Sequence, residues 1–174
     1  MATYTKITDY TVPSATHSVT ISAIPNTYTD LVIKCALRSD YGNMLHEGQF
    51  ILNSITSSDY TQTLAVGETT NTLGAGPTNA IAATWGLLIA GASATANTFS
   101  NTTVYISNYA NTSIQKSWTV EAGVGSQAGQ QANWVVGGFC NTTAAVSSIT
   151  FYAWQNFINF AVGSTFTIYG ISNA

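Results

Sequence analysis

Ser147-Ser-Ile-Thr-Phe-Tyr-Ala-Trp154 alternates without a slip: Ile149, Phe151 and Ala153 point one way, and Ser148, Thr150 and Tyr152 the other. A period of two is the signature of a half-buried strand, because successive side chains leave a pleated backbone on opposite faces. The same alternation recurs along the chain. Val19, Ile21 and Ala23 oppose Ser18, Thr20 and Ser22, and Pro25-Asn26 ends that run. Leu31, Ile33, Cys35 and Leu37 oppose Asp30, Lys34 and Arg38. Phe50 and Leu52 mark a short run at 48–53, Val104 and Ile106 one at 102–109, and Trp118, Val120, Ala122 and Val124 one at 117–124. Residues 133–140 are apolar on both sides, as a central strand would be, and Phe166 and Ile168 alternate with Thr165, Thr167 and Tyr169 near the end.

Turn residues separate these runs, at Tyr41-Gly42-Asn43, at 108–113, at 125–129 and at Asn141-Thr142-Thr143. No stripe at i, i+3, i+4 with caps competes with them. Short strands at this spacing predict an all-β, antiparallel, jelly-roll-like β-sandwich of about eight or more strands in a single domain. Residues 1–15 are expected to form an N-terminal arm or edge strand, and 16–174 the sandwich. Residues 67–79, poor in large apolar side chains, read as a long exposed loop. The apolar run around Trp85, Leu87, Leu88 and Ile89 reads either as a fully buried strand or as one covered by a partner subunit.

Composition narrows the function. Of 174 residues only 6% are charged, with 4 Lys plus Arg against 7 Asp plus Glu; an ordinary soluble domain has about 25%. Lys6, Lys34, Arg38 and Lys116 are scattered, so no basic patch is available for nucleic acid or an anionic membrane. The segment 1–10 carries Lys6 and Asp9 and no apolar core, so no secretory leader is expected. No run approaches the ~20 apolar residues that span a bilayer. Cys35 and Cys140 lie in apolar strand contexts and are expected to be buried free thiols.

Acid–base chemistry has little material. Arg38, Asp40, His46 and Glu47 are the one local group of ionisable residues, and they read as a solvated loop after a strand rather than a site. Asp40, Asn43 and Glu47 could offer oxygens to calcium, but isolated histidines and dispersed acids predict no metal and no cofactor. His17 reads as a surface residue. Tyr105, Tyr109, Tyr152, Trp154 and Tyr169 fall opposite the core positions; such aromatics are structural, form protein interfaces, or stack on sugars. The chain is therefore expected not to be an enzyme.

Three strings carry a resemblance. Tyr4-Thr-Lys-Ile-Thr-Asp-Tyr-Thr-Val-Pro13 with Val19–Lys34, then Val104-Tyr-Ile-Ser-Asn-Tyr-Ala-Asn111 followed by Lys116, then Gly163-Ser-Thr-Phe-Thr-Ile-Tyr-Gly-Ile171, resemble small β-sandwich virion proteins of tailed bacteriophages. The resemblance implies a protein of the virion, made in the host cytoplasm, that decorates or cements a capsid by binding the major capsid protein, as a homotrimer. The alternative it leaves is a tail-fibre or spike knob that binds host-surface glycan. It brings no active site. Expected interface residues are Tyr4 and Tyr10 in the N-terminal arm, Arg38 and Asp40 in the charged loop, and Trp85, Leu87, Ile89, Phe157 and Phe160 in apolar runs that one core would not absorb.

Overall fold

The computed structural model describes residues 2–68, 72–81, 83–125, 129 and 131–172, with backbone alone for 72–81. Among these residues there are twelve strands and no helix. They are β1 (Thr3–Thr11), β2 (Ser18–Ile21), β3 (Asp30–Leu37), β4 (Leu45–Leu52), β5 (Tyr60–Glu68), β6 (Thr72–Ile81), β7 (Thr84–Ala90), β8 (Ser100–Ser107), β9 (Lys116–Gly125), β10 (Gln131–Cys140), β11 (Ile149–Ala153) and β12 (Thr165–Ser172).

Two antiparallel sheets result. The large one has eight strands in the order β1-β12-β3-β8-β9-β10-β5-β6, and the small one four in the order β2-β11-β4-β7. Set aside the hairpins β5–β6 and β9–β10, and the chain passes large, small, large, small, then small, large, small, large. That alternation is consistent with jelly-roll-like winding. The two hairpins extend the large sheet on one side only.

The core lies between the sheets. Phe151 stacks on Phe166 at 4.8 Å between ring centroids, and Phe50 meets Trp118 edge-on at 5.8 Å. Val104, Ile106, Val120, Val136 and Ile168 fill the large-sheet side. Both cysteines are buried and free.

One open expectation resolves here, and two change. Thr3–Thr11 is an edge strand laid along β12, exposed over most of both faces. The segment expected as a loop at 67–79 instead lies in the β5–β6 hairpin, apart from 69–71, which are outside the described residues. Thr72–Ile81 brings few large apolar residues to alternate, so its backbone pairing with β5 leaves no mark in the sequence. β10 is not buried on both faces: Trp134 and Val136 enter the core, while Val135 and Phe139 stand exposed on the outside.

Candidate functional site

Two surfaces turn away from the core in opposite directions. The first is a cleft of about 470 Å³ on the outer face of the small sheet. Tyr152 of β11 pairs with Gln49 of β4, and Gln49 pairs with Trp85 of β7. That last pairing needs a bulge: the register shifts beside Gly48, and Gly86 takes a φ of 138° that L side chains rarely adopt. A Cβ at Gly86 would also press on Val136 at 3.0 Å, so the extra residue that turns Trp85 outward is a glycine for two reasons.

Trp154 follows β11 directly. Its backbone N–H donates to Glu47 O at 3.1 Å, and its indole leans on Trp85 with centroids 4.8 Å apart. Gln155 then adopts φ 74°, the left-handed region that non-glycine residues avoid. His17 forms another wall of the cleft. It is half-buried rather than on the surface, with Nδ1 2.9 Å from Ile158 O and its ring 5.8 Å from Tyr152. A carbonyl only accepts, so Nδ1 carries the hydrogen and Nε2 of the neutral ring is an acceptor.

The second surface is the outer face of the large sheet. Thr167, Lys34, Thr103, Glu121, Val135 and Ala65 form one rank across six strands. Tyr169, Val32, Tyr105, Thr119, Gly137 and Thr63 form the next. Lys34 and Glu121 are exposed and opposite in charge, with Thr103 between them, about 10 Å apart by strand spacing. Asp30, expected to face outward into solvent, is buried; it accepts from Tyr105 Oη at 2.8 Å and Asn108 N at 2.7 Å. Burial, with the neighbouring Asp30 carboxylate second, pushes the Tyr105 phenol up to about 12.

The residues expected at an interface divide sharply. Tyr4, Tyr10 and Phe157 are exposed, Phe157 by 76%. Trp85 is half-buried, behind the Trp154 ring that lines the cleft. Leu87, Ile89 and Phe160 are wholly buried and so are not on the surface. One core does absorb these runs, because β7 lies against the large sheet while Phe160 packs on Phe166 at 5.3 Å.

Arg38 is turned onto its own chain. Nη1 donates to Thr95 O and Thr98 O at 3.0 and 2.8 Å, and Nη2 to Ala92 O and Ala94 O at 3.1 and 3.2 Å. It moulds the β7–β8 connection instead of waiting for a partner. Asp40 clamps Asn159, accepting from its backbone N and its Nδ2, each at 2.8 Å. Asp40, His46 and Glu47 do not make one solvated loop: His46 lies buried on β4, 4.5 Å from the Tyr41 ring, with neither ring nitrogen hydrogen-bonded. Burial pushes its pKa down, against smaller opposing pulls from the Trp154 backbone and from Asp40. Tyr109 is also buried, not outward, and its Oη donates to Pro25 O.

Among the described residues no group of three His, Cys, Asp or Glu side chains is gathered to hold a metal, and no helix is long and apolar enough to cross a membrane. No known family, curated protein or solved structure matches this chain. Sequence reading missed Gln49, Gln155 and His17 as cleft residues. Only the aromatics Tyr152 and Trp154 signalled the place, since a polar residue in a strand carries no mark of the face it will share.

Proposed function

We propose that this protein is a non-enzymatic structural component of a tailed-bacteriophage particle, which decorates or cements the capsid by docking on the major capsid protein as a homotrimer. The observation that carries the reading is the outer face of the large sheet. Over its ranks of Thr, Tyr, Val, Ala and Gly, the exposed charged side chains are Lys34 and Glu121 and, on the edge strand β1, the paired Lys6 and Asp9, so that the charges balance. Such a face is dehydrated at low cost when it meets protein, because few ions lose water. Val135 and Phe139 add exposed apolar area to it. The resemblance of the terminal strings to phage virion proteins supports the same reading. Repetition on a symmetric shell then turns modest contacts into stable attachment.

The test is binding of purified protein to capsids that lack it. Native protein is expected to sediment with the shells and to appear as added density on them, while Val135→Glu with an unchanged melting curve is expected to stay in the supernatant. Native protein that neither self-associates nor sediments with shells overturns the proposal.

A further inference from the structure

We propose that the cleft on the small sheet is a binding site for a neutral sugar ring, on the side of the molecule facing away from the large-sheet surface. Its volume of about 470 Å³ lies within the roughly 300–1,000 Å³ of ordinary small-ligand sites. Its chemistry selects the ligand. Trp154 is 38% exposed yet braced by Trp85, so a flat apolar platform is held ready at the rim. A pyranose presents a matching face of C–H groups and a perimeter of hydroxyls.

The perimeter has partners. Gln49, Gln155 and Asn156 line the cleft, and none of their side-chain amides makes a hydrogen bond among the described residues. Each offers donors and an acceptor, as a pair of vicinal hydroxyls does. His17 adds Nε2 as a further acceptor, its tautomer set by Ile158 O. Uncommitted amides beside an exposed indole are what a hydroxyl-rich, uncharged ligand requires; an apolar ligand would leave them unpaired at a cost.

The cleft is lined by no Lys, Arg, Asp or Glu. An acidic sugar would find no counter-charge there. The lining also lacks the carboxyl pair that glycoside hydrolysis uses, so the site binds a sugar and does not cleave it. The left-handed backbone at Gln155 (φ 74°) sits between the platform and Asn156. Strain of this kind persists where the surroundings over-determine it, and ligand clamps are a common setting.

The test uses the full purified chain and a panel of neutral methyl pyranosides (gluco, galacto, manno and their N-acetylamino forms), with glucuronic and N-acetylneuraminic acids alongside. Saturation-transfer NMR and tryptophan fluorescence both report binding. At least one neutral pyranoside is expected to bind, with a dissociation constant in the millimolar range or tighter, and neither acid is expected to bind more tightly than it. Trp154→Ala is expected to weaken binding roughly tenfold or more, and Gln49→Ala and the exposed Asn156→Ala to weaken it measurably while melting like the native protein. No binding by any neutral sugar, stronger binding by the acids, or full binding by the folded Gln49→Ala and Asn156→Ala proteins overturns the proposal. The outcome is separate from capsid docking, since sugar binding is read on free protein.

Discussion

At Gly170 the last strand carries a glycine that the sequence alone leaves unexplained. A Cβ there would come within 2.3 Å of the Tyr28 ring, which packs against this point of the backbone. Gly170→Ala is therefore expected to cost about 1–3 kcal/mol through overpacking. Gly137→Ala, on the open face of β10 with nothing within 4 Å of the added atom, is expected to be near neutral; paired urea titrations compare the two. The strings that resemble phage proteins turn out to be structural at this scale. Tyr109 ties the end of β8 to Pro25, and Lys116, wholly buried, donates from Nζ to Asn111 O, to Ile114 O at 2.7 Å and to Thr143 O at 3.1 Å. His46 gives a pH signature. Its folded pKa lies below the ordinary 6.5, so the unfolded chain binds the proton more readily and stability rises with pH. That contribution is whole above about pH 6.5 and is lost as the pH falls below it. Glu47, raised by burial, acts with the opposite sign at lower pH. Urea midpoints measured from pH 8 to 5 are expected to fall less steeply for His46→Leu than for native protein.

Among elements, β1 stands apart. It pairs with β12 along one edge and is exposed on most of both faces, with the Lys6–Asp9 ion pair at 2.8 Å on its surface. Charge on a free edge discourages further strand pairing. With so little apolar burial, β1 is expected to open locally. Its amides should exchange with deuterium at least about tenfold faster than those of β3 and β8, read by mass spectrometry of the corresponding peptides; equal protection would show that β1 unfolds only with the whole domain. The strands with clean alternation, β3, β8, β9, β11 and β12, were legible because one set of alternate residues is apolar and fills the core; in β8 and β9 the other set is open to water, while in β3 and β11 Asp30, Val32 and Thr150 are covered as well. β5 and β6 were not. Residues such as Thr61, Gln62 and Thr63 bring no apolar period, and they are held by pairing with β10 and with each other. β7 was ambiguous for the opposite reason: an all-apolar run looks the same whether its cover is its own sheet or a partner.

For the whole molecule, the two sheets place two kinds of surface back to back. The large sheet turns a broad neutral face one way, and the small sheet turns an aromatic and amide-lined cleft the other. The two proposals are therefore separable on one protein. Trp154→Ala is expected to keep docking on shells, and Val135→Glu to keep binding sugar, in the same sedimentation and NMR experiments. The sequence by itself determined that the fold is all-β, which strands present one apolar face, and that ionisable groups are too few for a charged ligand surface, because period and composition are local properties of the chain. The tertiary structure decided which apolar residues were spent inside, removing Leu87, Ile89 and Phe160 from the surface and turning Arg38 onto its own loop. It also decided that His17, Gln49, Tyr152 and Trp154, up to 137 positions apart in the numbering, share one cleft. Strand order and register alone bring such residues together, and those follow from long-range pairing that no single segment encodes.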